Sequence, residues 1–256
     1  MRFLHLISPF RHPRLVLGAV GIILLGSRPA WIYKTAQAGA AHELPLHQFA
    51  PPGPARAVMV LASGDGGWTS WEEKVAGHMA ETGIAVSGWD TREFAKHPYN
   101  QEKLARGFAA AADKIRASTK GSAVPVIYAG WSTGAGQCLA AAASPWHHAA
   151  LRGLLLISPG SRGRYGITRS DLNGLTPAGP DTWAVRDMAL ALPDIPIIQI
   201  SAALDSADDR TWITDHRGAH RVITVPRAVH DYDGAGTPLM AALDESLHWL
   251  LNAACE

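Results

Sequence analysis

The chain predicts an α/β fold, a mostly parallel sheet flanked by helices in a single domain, and two observations carry that expectation. Short apolar runs of buried-strand type alternate with helical runs and glycine-rich loops from Ala57 onward. One of these runs, Val124-Pro125-Val126-Ile127-Tyr128-Ala129, feeds directly into Gly130-Trp131-Ser132-Thr133-Gly134, and an Ala-rich helical run leaves it. A turn this tight between strand and helix strains the backbone at Ser132. The glycines two before and two after it remove side chains that would collide with the neighbouring strand and helix. The serine hydroxyl is then held up at the C-terminal end of a sheet, with the backbone N–H of Thr133 facing any developing oxyanion.

A chain of 256 residues with 47% hydrophobic content has enough apolar material for one sizeable core and needs no second domain. A formal net charge of +1 with 18% charged residues gives no extended basic surface, which excludes nucleic acid as a partner. The two cysteines, Cys138 and Cys255, are too few for a disulfide framework, and Cys138 reads as a small buried helix residue.

The N-terminus carries an export segment, residues 1–38. Arg2, Arg11 and Arg14 precede the apolar run Leu15 to Leu25, and Ala36-Gln37-Ala38 has the small-x-small form of a cleavage site. The run is short for a membrane span and normal for a signal peptide, while Trp31-Ile32-Tyr33 lengthens the distance to Ala38 and keeps an uncleaved membrane anchor open. Either form puts the rest of the chain in the periplasm of a bacterium. Residues 39–56, rich in proline, read as a linker or edge strand entering the domain that occupies residues 57–256.

Ala57–Ala62 is the first buried strand, and it ends in Ser63-Gly64-Asp65-Gly66-Gly67-Trp68. The loop after an early strand is where this arrangement supplies its second oxyanion-hole N–H, here that of Asp65, with Gly64 the neighbouring candidate. A plain turn or a phosphate-cradling loop are the alternatives; the absence of a closing Gly-Lys-Ser/Thr and the presence of Asp65 count against phosphate. Gly64, Trp68 and Trp131 are expected to line the substrate's approach.

Ser70-Trp71-Glu72-Glu73 reads as a capping box opening a helix that Gly83 stops. Strand Ile84–Trp89 follows, then the loop Asp90 to Tyr99, whose charges and aromatics sit where open sheets place ligands. Asn100 caps a helix with Leu104, Phe108, Ala111, Ala112 and Ile115 on one face, ending at Lys120-Gly121. After the serine turn, Leu151–Ser158 is another buried strand, and a long irregular stretch from Pro159 to Pro193 reads as a lid or side wall. Its arginines, Arg162, Arg164, Arg169 and Arg186, either meet an anionic head group or are solvated, and solvation is the expectation.

Ile195–Ser201 is the next strand, and a triad acid should hang from its exit. Asp205 comes first, with Asp208 as fallback. Arg221–Val225 is the last strand, and beyond it His230 lies on a loop before a terminal helix capped by Thr237 with Pro238 in its first turn. The order Ser132, Asp205, His230 is the chain order of an α/β-hydrolase triad. This chemistry calls for no cofactor. His147-His148 point different ways and His216 and His220 are interrupted by Gly218, so no metal site is expected.

Ser63-Gly64-Asp65-Gly66-Gly67-Trp68, Gly88-Trp89-Asp90, the Gly-x-Ser-x-Gly turn and His230-Asp231-Tyr232-Asp233-Gly234 together resemble the VirJ/AcvB-type bacterial virulence proteins, over about residues 57 to 250. The resemblance implies an α/β-hydrolase domain outside the cytoplasmic membrane, links to type IV secretion components, and hydrolysis of aminoacylated phosphatidylglycerol, notably lysyl-phosphatidylglycerol, at a membrane surface. Carried onto this chain, it makes Ser132 the nucleophile, His230 the base and Asp205 the acid. The chain departs from the family in having Trp131 where Tyr is usual and Val229 where a second His is usual. The loop after Asp90 lacks the family's aromatic cluster.

Overall fold

The computed structural model describes residues 44–119 and 124–253. The export segment, the Lys120-Gly121 helix stop and Cys255 lie outside the described residues. The elements in chain order are β1 (Leu46–Phe49), β2 (Ala57–Ala62), α1 (Ser70–Glu81), β3 (Ile84–Trp89), α2 (Thr91–Phe94), α3 (Gln101–Ser118), β4 (Val126–Trp131) and α4 (Thr133–Ala142). They continue with β5 (Leu151–Ile157), β6 (Arg162–Arg164), α5 (Arg169–Leu172), β7 (Thr182–Ala184), α6 (Val185–Leu190), β8 (Ile197–Ala202), a 3-10 turn (Trp212–Asp215), β9 (His220–Val225) and α7 (Gly236–Ala253).

Seven strands form one sheet in the order β1-β3-β2-β4-β5-β8-β9, with every pairing parallel except the antiparallel edge pair of β1 with β3. Residues 46–49 are therefore the edge strand that the linker-or-edge-strand reading of this stretch allowed. An edge position suits them, because the prolines around this strand cannot donate to a second ladder.

The pleat sends alternate residues of β2 to opposite faces. Val58, Val60 and Ala62 meet α3 and α4 through Leu104, Phe108 and Leu139, whereas Ala57, Met59 and Leu61 meet α1 and α7 through Val75, Met79 and Leu243. Two apolar cores thus sandwich a sheet whose central strands are buried on both sides, which is why those strands read as continuous apolar runs. Burying them removes water from both faces at once and fixes the C-terminal edge on which the loops of the site are mounted.

Two helix starts differ from expectation. The N-cap of α1 is Thr69, whose side chain takes the Trp71 N–H while Glu72 reaches back to the Thr69 N–H, so the capping box sits one residue earlier. Helix α7 begins at Gly236, with Leu239 N–H bonded to the Ala235 carbonyl, two residues before the position that the Thr237 cap required. Pro238 still falls in the first turn, where no intrahelical donor is needed. No helix among the described residues is long and apolar enough to cross a membrane.

Candidate active site

Ser132 stands at the corner between β4 and α4 with φ 53° and ψ −118°, a conformation that side chains rarely adopt. The neighbouring glycines are sterically compelled. A Cβ on Gly130 would lie 2.5 Å from the Gly134 carbonyl carbon, and one on Gly134 would lie 2.4 Å from the carbonyl oxygens of Ala62 and Ser63. The Ser132 N–H is tied to the Ile157 carbonyl at 2.9 Å, so the corner is anchored to β5 as well.

His230 arrives on the loop after β9 and Asp205 on the loop after β8. His230 Nε2 is 2.9 Å from Ser132 Oγ, and His230 Nδ1 is 2.6 Å from Asp205 Oδ2. The carboxylate side chain is 5% exposed and the imidazole 40% exposed, so the acid is shielded while the ring reaches solvent. Asp205 Oδ1 accepts the Ala207 N–H at 2.9 Å, which fixes the carboxylate's orientation. With Nδ1–H donating to Asp205, Nε2 is left as the acceptor facing the serine hydroxyl.

Beneath this row, Ser158 at φ 44° and Tyr232 at φ 56° share a 2.8 Å hydrogen bond. Two left-handed non-glycine residues thus brace one another across the ends of β5 and the His230 loop. Burial, partly offset by the Ser158 bond, pushes the Tyr232 phenol well above its ordinary value and keeps it neutral.

Ser132, Thr133, Asp65, Asp205 and His230 all line one cavity of about 410 Å³. Thr133 opens α4, where a first-turn N–H has no intrahelical acceptor and faces outward. Asp65 is half-buried, and burial raises its carboxyl above the usual range. The backbone N–H groups of Asp65 and Gly66 hydrogen-bond to that carboxylate and work against the rise, Asp171 adds to it, and His230 opposes it. The Asp65 N–H is accordingly turned toward its own carboxylate, and Asp65 shares the cavity lining with Ser132.

Much of the remaining lining comes from the stretch between β5 and β8, which contains a small antiparallel pair, β6 with β7, rather than irregular chain alone. Trp183 forms part of the wall, and space for its ring is made by Gly163, whose Cβ would lie 2.3 Å from the indole. Arg164 is not solvated as expected. Its Nε lies 3.3 Å from Asp171 Oδ2, its Nη2 donates to the Ala178 carbonyl, and its side chain is 15% exposed. Arg162 donates to the Pro177 carbonyl and the Thr182 hydroxyl, while Arg186 pairs with Asp215 outside the cavity.

Four sequence expectations fall elsewhere. Trp68 lies over Gly88, stacks on His47 and donates to Glu73 Oε1, so it locks the β1 edge rather than lining the cavity. Trp131 stacks on Trp71 and donates from Nε1 to the His230 carbonyl at 3.1 Å, placing it behind the imidazole. Gly64 gives that indole its space, with a Cβ there 3.1 Å from Trp131 Cε3. The loop from Asp90 to Tyr99 also stays outside the lining; Asp90 caps α2, and Tyr99 packs against Phe94 and Tyr165. Conversely, the sequence reading passed over Asp171, Leu175 and Trp183. A Thr168-x-x-Asp171 capping box was the available signal for the first.

Among the described residues no group of His, Cys, Asp and Glu is arranged to hold a metal ion. The buried His216 ring bonds the Ile195 carbonyl, and His148 is tied to Asp113.

The fold is shared widely. Est1E from Butyrivibrio proteoclasticus superposes with a TM-score of 0.55 at 14% identity, covering 81% of this chain and 93% of that one. A dienelactone hydrolase from Anabaena variabilis gives 0.57 at 19% identity over 80% and 92%. A soluble variant of monoglyceride lipase from Saccharomyces cerevisiae gives 0.58 at 15% identity over 81% and 91%. Comparison with curated protein sequences finds no match. At these identities the likeness is one of fold, which is that of the α/β hydrolases. A family-level match to the bacterial virulence protein VirJ extends over residues 56–249, most of the chain, and the protein belongs to that family.

Proposed function

We propose that the protein is an exported serine hydrolase that cleaves an ester through a Ser132–His230–Asp205 triad and an acyl-enzyme, with an aminoacylated phospholipid such as lysyl-phosphatidylglycerol as substrate. The observation that carries this reading is the unbroken chain of hydrogen bonds from Ser132 Oγ through His230 to Asp205 at the cavity wall.

In this mechanism His230 Nε2 takes the Ser132 proton as Oγ attacks the ester carbonyl, and Asp205 holds the ring's tautomer and balances the imidazolium. The N–H groups of Thr133 and Asp65 receive the oxyanion, the latter giving up its contact with its own carboxylate. His230 then returns the proton to the leaving alcohol, and a water activated by the same ring releases the acyl group.

The electrostatics of the cavity support a cationic acyl group. Asp65 and Asp171 both line it and repel one another, and Arg164, 3.3 Å from Asp171 Oδ2, already answers the Asp171 charge. An ammonium beside Asp65 offsets its charge in turn. The family membership and the exported position read from residues 1–38 are consistent with a lipid substrate on the periplasmic side of the inner membrane, where type IV secretion components are candidate partners.

Release of free lysine from lysyl-phosphatidylglycerol vesicles, run beside Ser132→Ala, tests the proposal. Release that disappears in the variant supports it. Ser132-dependent cleavage of neutral esters with no lysine release would retain the hydrolase, as a general carboxylesterase or lipase, and discard the lipid. An inert wild type that ignores serine-directed phosphonates would leave a non-catalytic secretion-accessory protein on the same fold. Asp65→Asn sharpens the choice, since equal losses on cationic and neutral esters would remove the recognition role from Asp65.

A further inference from the structure

The cavity opens through an apolar rim. Leu172 and Leu175 line it and still face solvent, Leu175 being 61% exposed. Leu204, 65% exposed, directly precedes Asp205, and the exposed Val229 directly precedes His230. These two loops are joined, because the Leu204 N–H donates to the Ala228 carbonyl at 2.9 Å. Among the described residues these four are the majority of the large apolar side chains left in water. Scattered over a surface they would need no explanation, but here they gather around one opening.

The sheet topology brings the start of the domain to the same edge. Strand β1 runs antiparallel to β3 with Leu46 opposite Trp89, the last residue of β3, and the Asp90 N–H donates to the Pro45 carbonyl at 3.0 Å. The chain therefore enters the described domain at the C-terminal ends of the parallel strands, the edge that carries the cavity loops. In the strand order β1 lies three places from β4, about 14 Å across the sheet. Residues 26–43, between the N-terminal apolar run and the domain, reach at most about 60 Å when fully extended. A tether of that length keeps this edge within reach of a bilayer and leaves the domain free to turn, so the rim has to supply the orientation.

We propose that the rim formed by Leu172, Leu175, Leu204 and Val229 docks the domain on a lipid bilayer with the cavity mouth against the headgroups, so that an ester enters from the membrane without crossing water. This rests on the reading of residues 1–38 as an export segment and of the cavity as a lipid-ester site. One leucine gains too little to hold a domain at an interface, whereas four apolar side chains around one opening act together. Charge adds little, because the exposed Arg169 and Arg227 on the same segments are offset by the exposed Asp231 and Asp233. The driving force is apolar burial.

The test puts an environment-sensitive fluorophore on single cysteines of the full chain, reconstituted in vesicles of phosphatidylglycerol and phosphatidylethanolamine. Cys255→Ser removes one native thiol, and Cys138 is fully buried and stays. Leu175→Cys and Leu204→Cys place the label on the rim. Ala149→Cys is the control, exposed just before β5 and so at the opposite edge of the sheet. Rim labels should shift to the blue and lose about half or more of their emission to nitroxides carried at the top of the acyl chains, while the control label stays unshifted and unquenched. Rim labels that match the control overturn the proposal. So do rim labels that shift without quenching, since protein rather than lipid then covers them. Neither readout depends on turnover. Failure of the hydrolase reading shows instead as absent phosphonylation of Ser132 by a fluorophosphonate, so the two failures are separable.

Discussion

Ser132 stands on a corner where two glycines leave no room for a Cβ, whereas much of the wall facing it, between β5 and β8, is held by long side chains reaching to backbone carbonyls. A Cβ on either glycine would fall 2.4 to 2.5 Å from neighbouring backbone atoms, and the corner is tied to the central strands. The wall hangs from Arg162, Arg164 and the Asp171 box, and it exposes Leu172 and Leu175, the latter 61% exposed. Chemistry placed on the first region tolerates almost no change of geometry. Recognition placed on the second can be altered without disturbing the sheet, which is the division of labour expected when loops are mounted on a rigid scaffold.

The sharpest way to break this comparison is at the corner. Ser132→Ala should lower ester turnover about 10⁴-fold or more while leaving the fold intact, measured by steady-state kinetics beside circular dichroism. Gly134→Ala forces a methyl against two carbonyl oxygens and should cost about 3 kcal/mol or more, read from denaturant unfolding. The wall should respond in KM instead. Leu175→Ser should raise KM for a long-chain ester about 3- to 10-fold while leaving kcat on a short ester and the melting temperature unchanged. A fall in kcat on the short ester would show that the wall is part of the chemistry.

The smallest expected effect lies beneath the site. The Asp208 carboxyl is raised to about 6, so the folded state holds a proton that the unfolded chain has released. Its contribution therefore weakens as pH rises through about 4 to 6. Asp208→Asn should be close to neutral below that window and raise the melting temperature by a few degrees above it, on the order of 1 kcal/mol after allowing for solvent screening. A variant equally stabilised at pH 4 and pH 8 would contradict the assignment.

The corner was legible in the sequence because its requirements are local. A strand, a strained serine and two glycines occupy consecutive positions, and Asp205 and His230 follow the ends of recognisable strands. The wall was not, because its contacts join residues with no periodic pattern, such as Arg164 with Asp171 and Ala178. Trp68 and Trp131 misled for a related reason. Each neighbours the site in sequence, yet its ring is claimed by a glycine from elsewhere in the chain, Gly88 for one and Gly64 for the other. The α1 cap was displaced by one residue because Thr69 and Ser70 can both cap and stand in succession. Helix α7, by contrast, starts two residues early after Ala235, whose side chain cannot cap, so no local cap signal marked that start.

The most direct test of the account is active-site titration with a fluorophosphonate followed by peptide mapping. The account predicts one adduct per chain, located on Ser132 and lost when His230 is replaced by Ala. Absence of labelling, or an adduct that survives Ser132→Ala, would contradict it.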